Sequence, residues 1–138
     1  MHGAGMCAQS FALLAKEIKQ FARLAAFDFR GHGYSEHPEG EKDLSITTLV
    51  NDALEVFNYL KEYDPDATFA IMGHSMGGSV ASKLAKQIYD SEDSERVIAL
   101  IVIDVVEGTA LEALPAMEQI VLSKPKKFKS IEDAIRWT

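Results

Sequence analysis

The feature that most constrains this chain is a serine set between glycines where an apolar run changes into a helical pattern. Residues 69–85 read FAIMGHSMGGSVASKLA. FAIMG has the length and composition of a buried strand, and apolar side chains recur at helical spacing after it. Gly73, Ser75 and Gly77 fit the pattern G-x-S-x-G. A strand that turns sharply into a helix strains the serine backbone and crowds the two positions beside it, which glycine tolerates.

Ser75 is therefore the candidate nucleophile of an acyl-transfer site. The turn would lift its hydroxyl clear of the sheet, at a helix N-terminus whose free N–H groups favour negative charge. The alternative is a glycine-rich turn with an incidental serine, and the strand and helix around the motif favour the nucleophile. A tetrahedral oxyanion needs two donors. We expect one from the backbone N–H of Met76 and the second from the loop HGAG at residues 2–5, where Ala4 is preferred and Gly5 is the alternative.

The rest of the chain alternates predicted helices and strands, which indicates an α/β fold with a parallel sheet. The last of the predicted strands is apolar without alternation, which is typical of a parallel strand buried on both faces. The predicted elements are a helix over 10–22 with Ser10 as N-cap, a short buried strand over 23–29, a helix over 46–63 capped by Ser45, a strand over 68–73, a helix over 76–89 and a strand over 96–106.

Composition limits the class of protein. With 138 residues the chain is long enough for one domain, and its net charge of -7 argues against nucleic acid or an anionic membrane as the main partner. Cys7 is the only cysteine, so an internal disulfide is excluded and a reducing compartment, cytoplasm or nucleus, is the natural location. No apolar run approaches the length of a membrane span. The expectation is a soluble intracellular protein, a single partial domain over 1–138.

Several stretches together resemble the protein phosphatase methylesterase 1 family of α/β-hydrolases. The stretches HGAG, DFRGHG and GHSMGGSVA are shared widely among α/β-hydrolases, whereas IDVVEGTA, PKKFKS and AIRW are far more specific to the methylesterases. The resemblance implies hydrolysis of the methyl ester on the C-terminal leucine of the protein phosphatase 2A catalytic subunit, with no cofactor and no metal. That subunit's C-terminal tail would be the partner.

Family members extend beyond this chain at both ends, so the resemblance implies a partial α/β-hydrolase fold. Strands four, five and six of the fold would be present, whereas the earlier strands and the C-terminal part would be missing. Strand three, which lies between four and five, would be among the missing strands, and apolar strand edges would be exposed. Residues from about 109 to 138 would begin the lid or cap region.

Asp104 is the candidate acid. In the methylesterase family the acid ends the strand after the nucleophile helix, and that position here is Asp104 in IVIDVV. Independently, a carboxylate that ends an apolar buried strand is costly unless it is paired, and Ser75 lies at the same edge. A loop-capping aspartate is the alternative. Asp28 also ends a predicted strand at that edge, and we interpret it as structural, bonded to loop backbone. Glu107 receives no role.

The general base is absent from the pattern. All four histidines, at positions 2, 32, 37 and 74, precede Ser75, and we expect the side chain of His74 to point away from the serine hydroxyl. The resemblance implies a base far downstream. Without a base the hydroxyl stays protonated and weakly nucleophilic, so the chain as written is expected to be inactive. Two alternatives to a methylesterase remain: another α/β-hydrolase esterase or lipase, and a non-catalytic fragment that binds the phosphatase.

Overall fold

The computed structural model describes residues 1–38, 42–104, 115–116, 119, 122–123, 125 and 127–137. The chain divides into two compact units, residues 1–105 and 106–138. The first unit contains every element discussed below except the last helix, so it carries the site. Glu107 and part of the predicted cap region lie outside the described residues.

The first unit alternates helices with two strands. Two short 3₁₀ helices are present, Ala8–Phe11 before the first α-helix and Ser94–Arg96 before the second strand. The main elements are helix α1 (Ala12–Ile18), helix α2 (Ile46–Tyr63), strand β1 (Phe69–His74), helix α3 (Met76–Tyr89) and strand β2 (Val97–Ile103).

Strands β1 and β2 pair in parallel, with Gly73 opposite Val102 and His74 opposite Ile103. Helix α3 connects them, which makes a βαβ unit whose carboxyl strand ends lie side by side. The predicted α/β class, a partial parallel sheet flanked by helices, is confirmed. The two strands predicted around the serine motif are also confirmed, because both begin and end within a few residues of the expected bounds.

The core forms where α2 and α3 pack together. The inner face of α2 follows helical spacing, and Leu49, Val50, Ala53 and Phe57 are all buried there. The hydroxyl of Ser45 accepts a hydrogen bond from the N–H of Thr48 at 3.3 Å, so the predicted cap of α2 is confirmed. On α3 the buried residues Val80, Ala81, Leu84 and Ile88 complete the same cluster.

Three local predictions were wrong. Residues 23–29 form no strand, because a strand needs a hydrogen-bonded partner and β1 and β2 pair only with each other in the described sheet. Helix α1 begins at Ala12, and its cap position is occupied by Phe11 and not by the predicted Ser10. Strand β2 is not buried on both faces, since Ile98 through Ile103 are exposed.

The second unit contains helix α4 (Ile131–Trp137). The N–H of Asp133 donates to the hydroxyl of Ser130 at 3.1 Å, which caps the first turn of α4. Within the described residues, none of the helices is both long enough and apolar enough to span a bilayer.

Candidate active site

Ser75 occupies a strained turn between β1 and α3. Its backbone has φ 51° and ψ -122°, a conformation that side-chain-bearing residues rarely adopt. Its N–H donates to the carbonyl of Ile103 at 2.9 Å, and its carbonyl accepts from the N–H of Gly78 at 2.8 Å. The first bond ties the turn to the end of β2 and the second ties it to the first turn of α3. The serine is thus held at the carboxyl edge of the sheet by backbone bonds on both sides.

The two motif glycines are required by backbone contacts. A Cβ on Gly73 would lie 2.0 Å from the carbonyl oxygen of Gly77, and a Cβ on Gly77 would lie 2.5 Å from the carbonyl oxygens of Met1 and His2. None of these atoms can rotate away, because they belong to the main chain. The crowding that the sequence pattern predicted is therefore present at both positions, and at Gly77 the crowding atoms belong to the HGAG loop and the residue before it.

The donors predicted for an oxyanion hole lie on two elements that meet at Ser75. Met76 is the first residue of α3, so its N–H has no carbonyl to bind within the helix. The loop turns back between Gly3 and Met6, where the N–H of Met6 donates to the Gly3 carbonyl at 3.1 Å and Gly5 takes φ 71°. A Cβ on Gly3 would lie 3.3 Å from the Cβ of Ser75. The loop therefore passes directly beside Ser75, and Ala4 and Gly5 at its tip are exposed.

His2 holds the HGAG loop in place through its buried ring. Its ring is fully buried, its Nδ1 donates to the carbonyl of Gly3 at 2.8 Å, and its Nε2 accepts from the N–H of Phe29 at 3.0 Å. Because a carbonyl only accepts and an N–H only donates, these partners select the neutral imidazole with its proton on Nδ1. Burial lowers the pKa of His2, mainly by removing water from the charged form. The residue is a structural support and is unavailable as a base.

Asp104 follows directly after β2, at the same edge as Ser75. Its side chain is 76% exposed, and its Oδ2 lies 3.8 Å from the Nε2 of His74. The position at the end of the strand was predicted correctly. The burial argument for it was wrong, because this carboxylate keeps most of its water and needs no partner to offset desolvation.

Asp28 matches the structural interpretation. One carboxylate oxygen accepts from the N–H of Ala8 at 2.6 Å and the other from the N–H of Tyr34 at 2.9 Å. These two bonds stabilise the charged form and lower the pKa of Asp28. A Cβ on Gly33 would overlap the carboxylate at 2.1 Å, so glycine is required where the loop passes it. Asp28 therefore joins the loop at Ala8 to the loop at Tyr34 by hydrogen bonds.

His32 and His37 both contact the loop at residues 30–31. His32 contacts the carbonyl of Arg30 through Nδ1 at 3.1 Å, and the ring of His37 lies against Gly31. The contact between His74 and Asp104 was missed by the sequence analysis. Its signal was available, because both residues end adjacent parallel strands and must therefore lie side by side. Among the described residues no group of three or more histidine, cysteine or acidic side chains is arranged to hold a metal ion.

The chain is similar to known hydrolases and methylesterases. The family model described as serine aminopeptidase, S33, matches residues 1–125. A protein of Caenorhabditis elegans called probable protein phosphatase methylesterase 1 is 43% identical over 141 residues, which cover 99% of this chain and 37% of that protein. The protein phosphatase methylesterase 1 of Yarrowia lipolytica is 37% identical over 160 residues, 99% of this chain and 36% of its own.

A solved structure agrees with the fold. The crystal structure of a hypothetical protein from Pseudomonas aeruginosa PAO1 superposes with a TM-score of 0.64 and 28% identity, covering 98% of this chain and 48% of that one. The chain thus spans between about a third and a half of the length of the proteins it matches.

Proposed function

Since the chain belongs to the serine aminopeptidase S33 family of α/β-hydrolases, we propose that it carries the nucleophile, the oxyanion donors and the acid of a carboxylic ester hydrolase. The single observation that carries the proposal is the conformation of Ser75, whose positive φ is maintained by two glycines at positions where any Cβ would strike main-chain atoms. Strain of this kind costs free energy and persists at sites where the strained residue has a role in function.

The proposed chemistry is acyl transfer. The Oγ of Ser75 attacks the ester carbonyl, and the oxyanion that forms accepts hydrogen bonds from the N–H of Met76 and from Ala4, with Gly5 as the alternative donor. The alcohol leaves with a proton, and a water molecule then cleaves the acyl-enzyme and restores the serine. Asp104 is the proposed acid, which orients the base and stabilises its protonated form. The residues of this chain call for no metal or cofactor in either step.

The base is the part that the described site lacks. Among the described residues, His2 has both ring nitrogens bonded in the core, and no histidine ring is hydrogen-bonded to the Ser75 hydroxyl. We therefore expect the 138-residue chain by itself to hydrolyse esters no faster than its Ser75→Ala variant. In the proposed enzyme a histidine beyond these residues abstracts the proton of Ser75, as the resemblance to the methylesterases implies.

The proposed substrate is the methyl ester on the C-terminal leucine of the protein phosphatase 2A catalytic subunit. Its support is the set of similar proteins from several eukaryotes that are named protein phosphatase methylesterase 1. The products would be the free leucine carboxylate and methanol. The phosphatase tail is thus the proposed partner.

A chimera tests the proposal without knowledge of flanking sequence. The matched segment of the Caenorhabditis elegans relative is replaced by this chain, and release of methanol from methylated phosphatase 2A is measured. We expect turnover within tenfold of the relative's own, abolished by Ser75→Ala and retained by Ser79→Ala, a matched change one helical turn away.

Each other outcome identifies a different function. A chimera that hydrolyses p-nitrophenyl esters but leaves the methylated phosphatase intact would indicate another esterase. A folded chimera that binds the phosphatase without Ser75-dependent hydrolysis would indicate a binding module. Retained turnover in the Ser75→Ala chimera would refute the assignment of the nucleophile.

A further inference from the structure

The ring of His74 lies between the HGAG loop and Asp104. His74 is the last residue of β1, and its side chain is 27% exposed. A Cβ on Gly3 would lie 2.9 Å from its Nδ1 and 3.4 Å from its Cε1, so this edge of the ring packs against the main chain of the loop. The other ring nitrogen, Nε2, lies 3.8 Å from the Oδ2 of Asp104. The ring therefore fills the space between the loop and the residue that follows β2.

The HGAG loop meets the serine turn at Gly3. A main-chain bond holds the residue before the loop, because the N–H of His74 donates to the carbonyl of Met1 at 3.0 Å. The tip has no such support, since a Cβ on Gly5 would find nothing within 4 Å of it in the described part of the chain. Between these two points, a Cβ on Gly3 would meet both the ring of His74 and, at 3.3 Å, the Cβ of Ser75. Packing at Gly3 thus sets the distance between the loop and the serine.

We propose that His74 is a positioning residue of the ester hydrolase, and that its ring sets the spacing between the HGAG loop and Ser75. The inference rests on the proposed function, because this spacing affects a reaction only if Ala4 or Gly5 donates to an oxyanion. Donors that are already in place stabilise the charge that develops in the transition state without moving at that moment. In this role the imidazole acts through its volume, and it neither accepts nor donates the proton that is transferred.

Glycine at position 3 and a ring at position 74 are complementary in size. A methyl group at Gly3 would be closer to Nδ1 than real Cβ contacts allow, so the loop or the ring must move. Removal of the ring has the opposite effect, because it leaves a void into which the loop can settle. Either change displaces the donors, and a misplacement of about 1 Å can lower a rate about 100-fold. The two changes together should offset each other, since the new methyl group enters the space that the ring leaves.

The test measures kcat and KM in the chimera in which this chain replaces the matched segment of the Caenorhabditis elegans relative. Gly3→Ala and His74→Ala should each lower kcat at least tenfold and change KM less than twofold, because oxyanion donors act on the transition state and not on the bound ester. The double variant Gly3→Ala/His74→Ala should have a kcat at least threefold above that of either single variant. Two independent structural defects would instead lower kcat further.

Two more variants separate the volume of the ring from its chemistry. His74→Phe should keep kcat within threefold of the unmodified chimera, because a phenyl ring fills the same space and cannot carry a proton. His37→Ala is the matched control, since it removes a histidine ring that contacts a different glycine, Gly31, and it should leave kcat unchanged.

Urea unfolding of the 138-residue chain tests the same contact without any activity. Gly3→Ala should destabilise the chain, and the double variant should lose less stability than the two single losses combined, because removal of the ring relieves the contact. Additive losses would show that Gly3 and His74 do not compete for the same space, and they would overturn the proposal.

The activity results distinguish this inference from the function on which it rests. An unmodified chimera without Ser75-dependent turnover would refute the proposed function and this inference with it. An active chimera in which His74→Ala leaves kcat unchanged would refute this inference alone. So would a loss in His74→Phe as large as that in His74→Ala, because the ring nitrogens and not the ring volume would then be required.

Discussion

Replacing Gly73 by alanine tests whether crowding shapes the serine turn. The added Cβ would lie 2.0 Å from the carbonyl oxygen of Gly77 and 2.6 Å from the nitrogen of Gly78. Real Cβ contacts are essentially never shorter than 3.0 Å, so the start of α3 must move away from β1 by about 1 Å. Every atom in the way is main chain, and rotation of a side chain cannot relieve the contact.

The cost follows from these contacts. Overpacking of a well-packed site costs about 1–3 kcal/mol, and backbone atoms place Gly73→Ala at the upper end of that range. Alanine also restricts the unfolded chain, which returns about 0.4–1 kcal/mol. The expected net loss is about 2 kcal/mol, a roughly 30-fold rise in the unfolding equilibrium constant. Urea unfolding of the 138-residue chain, followed by circular dichroism, measures it.

Gly5→Ala is the matched control. Nothing lies within 4 Å of a Cβ at Gly5, so the left-handed φ of 71° is the only source of destabilisation there. This φ costs alanine about 1 kcal/mol, which is partly offset because alanine also restricts the unfolded chain. Gly73 carries the steric penalty without the positive φ. If the two variants lose the same stability, crowding does not shape the serine turn, and the argument that the glycines beside Ser75 are sterically required fails.

Local patterns predicted the site where neighbouring residues alone determine the structure. The strand, the glycines and the helix around Ser75 are contiguous, so their sequence contains the steric reason for the turn. The same is true of the cap of α2, which Ser45 predicted correctly.

Predictions failed where a distant partner decides the outcome. Residues 23–29 have the composition of a strand, yet a strand forms only if another strand pairs with it. The exposure of β2 depends in the same way on what covers its faces, and the described residues leave them open. Side-chain composition cannot report either condition.

Asp104, the proposed acid, illustrates both cases. The order of the elements placed Asp104 at the correct edge, because parallel neighbouring strands end together. The exposure of its carboxylate was beyond local pattern, since it depends on which side chains pack around it. Residue position in a parallel sheet is thus readable from sequence, whereas side-chain environment requires the packed structure.

Three further predictions concern stability and solubility. Ser45→Ala should cost about 1 kcal/mol in urea unfolding, because the first turn of α2 loses its cap, and Ser45→Asn should restore most of it. Ile98 is 69% exposed on β2, so Ile98→Lys should reduce self-association in sedimentation velocity without lowering the midpoint of unfolding. Unchanged association would mean that the chain does not associate through β2. The third is a pH dependence at His2. Burial lowers its pKa from the ordinary value of 6.5, so the unfolded chain takes up a proton at a higher pH than the folded chain does. Stability should therefore be level with respect to this group above about pH 6.5 and should fall as the pH drops through 6.5 toward the folded pKa, by at most about 1.4 kcal/mol per pH unit. Urea unfolding between pH 8 and 5.5 measures the slope, and His2→Asn should remove this component, because an amide cannot titrate; the same slope in wild type and variant would show that the buried imidazole is not its source.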